Sequence, residues 1–152
     1  MSVAFRRDVD EEHLEPRFEL PIPPGPNLVT QRGFALIEAR VAEIEAKLAG
    51  DLGEDERKGM LRDARYWRSR LTSAQIAPTP SGDIVAIGTR VTIERDGQLR
   101  TFEIVGHDES DPANGRISFA SPLVRALNGA EVGQACEFPA DQLVTVTAIT
   151  VA

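Results

Sequence analysis

Two apolar series that mirror each other about residue 54 constrain this chain more than any other feature. In the first, Phe34, Ile37, Val41, Ile44 and Leu48 are spaced 3, 4, 3, 4. In the second, Met60, Ala64, Trp67, Leu71 and Ala74 are spaced 4, 3, 4, 3. Alternating threes and fours keep one stripe of a helix apolar, the a/d rhythm of a coiled coil. Reflection sets Leu48 opposite Met60, Ile44 opposite Ala64, Val41 opposite Trp67, Ile37 opposite Leu71 and Phe34 opposite Ala74. Bulky Trp67 then meets modest Val41, as packing at fixed volume prefers. The pattern predicts an antiparallel helical hairpin over Thr30–Ile76. Its arms, about 20 residues each, would be about 30 Å long.

The turn between the arms is acidic: Gly50-Asp51-Leu52-Gly53-Glu54-Asp55-Glu56. Thr30 suits the N-cap of the first helix and Gly50 its C′ position. Asp51 suits the N-cap of the second, and Glu54 follows at capping-box spacing. Glu54, Asp55 and Glu56 would lie in the first turn, where the helix dipole favours negative charge. The tip carboxylates therefore have a structural explanation beside any chemical one. On the second arm Arg62, Arg65 and Arg68 form a line, with Arg70 beyond. Such a line is either a solvated face or a contact for a phosphate backbone.

The net charge is −7 over 152 residues, and the hairpin span 28–77 carries 9 basic against 8 acidic side chains. No segment has the basic excess of an autonomous nucleic-acid binder, so any contact with RNA or DNA is expected through a partner. Cys136 is the only cysteine, and His13 and His107 are the only histidines, far apart. An internal disulfide is impossible and a structural zinc site is not expected. With no membrane-length apolar run and no signal-peptide pattern, a cytoplasmic protein is expected.

Residues 1–27 read as a flexible tail, with a charge run at Asp8–Glu12 and polyproline spacing from Pro21 to Asn27. Met1–Arg7 mixes apolar and basic residues, so it could serve as a short docking motif. Residues 28–77 are the hairpin and 78–82, Pro-Thr-Pro-Ser-Gly, a linker. Over 83–152 the period changes to two. Arg90–Glu94 and Leu99–Val105 flank a turn at Asp96-Gly97, with further strands near Ile117–Phe119, Ala135–Phe138 and Leu143–Val151. Ser121 and Pro122 open a short helix to Leu127, stopped by Asn128-Gly129. Cys136 fits a buried strand position. The fold class is α+β: a helical hairpin followed by a small antiparallel sheet with one short helix.

Four segments resemble the bacterial Gre transcript-cleavage factors: Leu28–Phe34, Gly50–Asp55, Phe102–Glu109 and Ile117–Gly133. The last is the longest and most specific. The resemblance spans Leu28–Val151. It implies an N-terminal coiled coil and an FKBP-like C-terminal domain that docks on bacterial RNA polymerase beside the secondary channel. It further implies that two tip acids enter the channel, where they help hold a second Mg²⁺ shared with the polymerase for hydrolysis of backtracked RNA. By position these are Asp51 and Glu54. Asp55 stands where the family usually has asparagine. Asp108, Glu109, Ser121, Pro122 and Arg125 match the docking surface, and Ala120 replaces a polar residue common before Ser-Pro. No intrinsic cofactor and no independent enzymatic activity are implied; the protein would assist the polymerase's own cleavage.

The hairpin is shorter than in typical family members, by roughly a dozen residues in the first arm, a loss of reach on the order of 10–20 Å. In this it resembles the regulator of nucleoside diphosphate kinase, a relative that binds polymerase without cleavage. Cleavage stimulation and non-cleaving channel occupancy both remain open. Two readings from other classes are a coiled-coil adaptor and a peptidyl-prolyl isomerase. The isomerase would need an aromatic-lined pocket, for which the second domain offers only Phe102, Phe119 and Phe138. A hairpin that satisfies its own seam needs no second chain, so a monomer is expected.

Overall fold

The computed structural model describes residues 19–152. The charge run at 8–12 and the docking motif at 1–7 lie outside the described residues. By packing, the chain forms two compact units, one of residues 38–72 with 19–24, the other of residues 25–37 with 73–152.

The first unit is built on helices α1 (Gln31–Leu48) and α2 (Glu54–Ser73). Burial follows the heptad positions. Val41, Ile44 and Ala64 are buried, and Leu48, Met60 and Trp67 are half-buried. Cross-arm contacts straddle residue 54, as the mirrored series requires. The Arg40 guanidinium lies 5.7 Å from the Trp67 ring centre. Arg68 Nε lies 3.1 Å from Glu45 Oε2. The arms are therefore antiparallel. Tyr66 meets Trp67 edge to face with ring centres 5.1 Å apart. One charged residue breaks the pattern: Arg70 is only 2% exposed. It lies three residues after Trp67, on the flank of the seam rather than the solvated side.

In the second unit, β1 (Leu28–Val29) and β2 (Gln75–Ile76) pair in parallel. The periodicity assigns both segments to the hairpin, because two-residue strands are too short to carry a period of their own. The main sheet has the order β5-β4-β3-β7-β6. Its strands are β3 (Thr89–Arg95), β4 (Gln98–Val105), β5 (Arg116–Ser118), β6 (Ala135–Glu137) and β7 (Leu143–Val151). Asp96 and Gly97 both have positive φ, 54° and 78°, the geometry of a two-residue hairpin turn that follows strand twist. The sheet is mixed rather than wholly antiparallel, since β5 runs parallel to β4. The connection, residues 106–115, contains two 3-10 turns that return the chain before β5 begins.

Helix α3 (Pro122–Leu127) starts where Ser121 and Pro122 require. The Ser121 hydroxyl accepts from Val124 N, and Gly129 follows with φ 83°. Leu123, Val124 and Leu127 bury against Val91, Phe102, Ile104, Val144 and Val146. Full burial of such side chains contributes about 2 kcal/mol each. Cys136 is half-buried at the margin of this core. Residues 78–82 lie within the second unit, and Pro80 packs on Gly88 so closely that a Cβ there would sit 3.1 Å from Pro80 Cδ.

Candidate functional site

At the hairpin tip, α2 begins at Glu54, two residues later than a cap at Asp51 requires. The first carbonyl of its ladder is that of Gly53, which accepts from Arg57 N at 2.9 Å. Asp51 therefore does not cap α2. Gly53, not Asp51, holds the capping position. Glu54 sits at the first helical position, with Asp55 and Glu56 behind it in the first turn. Asp51, Glu54, Asp55 and Glu56 are all exposed. None of these carboxylates has a hydrogen bond or ion pair among the described residues. Asp51 and Glu54 offer hard oxygen ligands of the kind Mg²⁺ takes, but too few to make a site alone. Among the described residues, no group of three potential ligands could hold a metal ion.

One tip contact has no counterpart in the capping argument. Arg57 Nη1 donates to Leu48 O and Nη2 to Gly50 O, both at 3.1 Å. The signal was a basic residue seven positions after the helix-ending glycine, too generic to single out.

The arginine line on α2 is paired within the protein. Arg62 Nη2 meets Asp63 Oδ1 at 3.2 Å, and Arg68 meets Glu45 as above. Arg65 grips Glu19 with two bonds of 2.7 and 2.8 Å. Those hydrogen bonds hold the Glu19 carboxyl below the usual glutamate range and raise the Arg65 guanidinium. The face is thus charge-compensated, and a phosphate would have to displace a carboxylate to use it.

In the sheet unit, the residues matched to a docking surface separate into two groups. Pro122 and Arg125 are exposed and three apart, hence on one face of α3, opposite the buried Leu123, Val124 and Leu127. The Arg125 side chain has no partner among the described residues. Ser121 is half-buried and committed as the cap. Asp108 is half-buried in the 3-10 turn His107–Glu109. Glu109 is buried: its Oε1 accepts from Thr30 Oγ1 at 2.6 Å and its Oε2 from Arg32 Nη1 at 2.5 Å. Its carboxylate is used inside the protein rather than offered at the surface. A cavity of about 380 Å³ beside it is lined by Thr30, Arg32, Pro80, Ile104, Arg116 and Val151 among others, with no aromatic side chain. It lacks the aromatic lining a proline isomerase would need.

Residues 79–151 match the sequence profile of the family described as Transcription elongation factor, GreA/GreB, C-term. The transcription elongation factor GreA of Desulfovibrio desulfuricans is 41% identical over 129 residues, covering 69% of this chain and 80% of its own. GreB of Pseudomonas aeruginosa is 34% identical over 140 residues, covering 76% and 83%. Among solved structures, the GreA/GreB factor from Nitrosomonas europaea aligns at 16% identity with a TM-score of 0.41, over 84% of this chain and 99% of its own.

Proposed function

The chain belongs to the GreA/GreB family of transcription elongation factors, and on that premise we propose that it docks on RNA polymerase and stimulates cleavage of backtracked RNA through Asp51 and Glu54. The observation that carries this reading is the state of the two acids. Both are exposed, neither is paired among the described residues, and Asp51 is released from the capping role that would otherwise account for it. Docking falls to the exposed Pro122 and Arg125, carried on a helix whose other face is locked into the core. A bound metal at the polymerase active centre would supply the water-activating and charge-neutralising chemistry. This chain's part is to deliver two carboxylate oxygens; the hydrolytic centre belongs to the partner.

A second reading, channel occupancy without cleavage, is favoured by arm length. Helix α1 has 18 residues, about 27 Å, and α2 has 20, about 30 Å, arms shorter than the resemblance implies for a typical cleavage factor. Ligand bonds tolerate errors of only tenths of an ångström.

The test is a stalled, backtracked elongation complex, given Mg²⁺ with or without this protein. Shortened RNA and a released 3′ fragment support cleavage. Unchanged RNA, with displacement of a full-length Gre factor from polymerase, supports occupancy alone.

A further inference from the structure

The tip must hold two carboxylates of like charge in a fixed relation, and the loop that carries them is a poor brace. Residues 49–53 include Gly50 and Gly53, and a Cβ built on Gly53 would meet nothing within 4 Å. Four carboxylates, Asp51, Glu54, Asp55 and Glu56, lie within six residues. Their mutual repulsion favours splaying the turn.

Arg57 opposes this from both sides of the loop. Its guanidinium donates to the carbonyls of Leu48 and Gly50, the last of which belongs to the peptide unit leading into Asp51. Its own N–H donates to Gly53 O, closing the turn of α2 that starts with Glu54. Helix ends leave carbonyls without internal partners, and a fork of two parallel N–H groups suits two of them at once. One residue therefore fixes the peptide before one acid and the helical turn that begins with the other. It also places a positive charge among four negative ones.

We propose that Arg57 is the positioning residue of the tip, setting the separation of Asp51 and Glu54 without itself reaching the reacting RNA. This rests on the cleavage reading above, and its test separates the two. Arg57→Ala and Arg57→Lys are compared with wild type in the full-length protein by three measurements. These are backbone order parameters of residues 50–53 in the free protein, affinity for polymerase, and RNA cleavage as a function of Mg²⁺ concentration.

The expected result for Arg57→Ala is an order parameter below about 0.6 across 50–53, against about 0.85 in wild type. Cleavage falls about 10-fold and needs more Mg²⁺, while polymerase affinity is unchanged. Arg57→Lys, which keeps the charge but not the fork, falls between the two. A loop equally ordered in Arg57→Ala overturns the proposal, as does cleavage equal to wild type at every Mg²⁺ concentration. If wild type itself releases no RNA fragment, the cleavage reading fails and the order parameters alone decide whether Arg57 braces the tip.

Discussion

Glu109 holds Thr30 across a separation of 79 residues, its Oε1 accepting from the threonine hydroxyl at 2.6 Å. Thr30 Oγ1 in turn accepts from Gly33 N at 3.0 Å, so the N-cap of α1 is itself anchored. The second oxygen of Glu109 takes Arg32. The first turn of α1 is thereby built into the sheet unit, which explains why residues 25–37 pack with 73–152. Negative charge beside the helix N-terminus adds a favourable dipole contact.

Removing this carboxylate should be costly although nothing exposed is lost. Glu109→Ala strands the Thr30 hydroxyl and leaves the Arg32 charge without its partner, and should destabilise by about 2–3 kcal/mol. Glu109→Gln keeps the shape and the Thr30 bond and should lose about half of that. Urea unfolding of the two variants checks both values. A change below about 0.5 kcal/mol for Glu109→Ala would mean that the latch contributes little.

Three glycines should respond in opposite directions. A Cβ on Gly106 would lie 2.5 Å from Leu28 O, a backbone atom that cannot swing away. Gly106→Ala should therefore destabilise by about 2 kcal/mol. A Cβ on Gly33 would lie 2.8 Å from Glu109 Oε1, so alanine there should also destabilise despite its better helix propensity. Gly59, in α2, faces open space, and Gly59→Ala should stabilise by about 0.5–1 kcal/mol. Thermal unfolding of the three variants gives the signs directly.

Much of this architecture was legible in the sequence, and the gaps have physical causes. The heptad seam, the Asp96-Gly97 turn and the Ser121-Pro122 helix start were readable because each is a local rule: side-chain period, positive φ, or a capping hydroxyl. Glu109 read as a surface acid, since nothing local reveals that Thr30 and Arg32 will fold onto it. The pattern Asp51-x-x-Glu54 places the start of α2 two residues early, because it satisfies the capping rule as well as the true start does. Parallel pairing of β5 with β4 depends on the path of residues 106–115, which no period encodes.

Docking should depend on the outward face of α3. Arg125→Ala should weaken polymerase binding about 10-fold while leaving the fold intact, because the side chain is exposed and has no partner among the described residues. Pro122→Ala should act in the same direction. Ser121→Ala is a poorer probe, since it also removes the cap at a cost of about 1 kcal/mol. Equilibrium titration against core polymerase measures all three, and unchanged affinity for Arg125→Ala would move the docking surface elsewhere.

The grip of Arg65 on Glu19 should fail in acid. Because the folded carboxyl titrates below its ordinary range, the contact is complete above roughly pH 4 and is lost as the pH falls through the lowered value. Both groups are exposed, so added salt should loosen it as well. The Arg65 Nε–H resonance, followed by NMR against pH and ionic strength, reports the release. A signal that does not respond as the carboxylates protonate in acid would contradict the assignment.

The most direct test of the central claim is RNA cleavage in a backtracked elongation complex with wild-type protein and with the Asp51→Asn/Glu54→Gln double variant, each at saturating occupancy. Both substitutions are exposed and remove charge without removing volume. The account predicts fragment release with wild type and loss of about 100-fold or more with the double variant at equal polymerase affinity. Equal cleavage by the two proteins would contradict it, as would wild-type protein that binds polymerase and leaves the RNA intact.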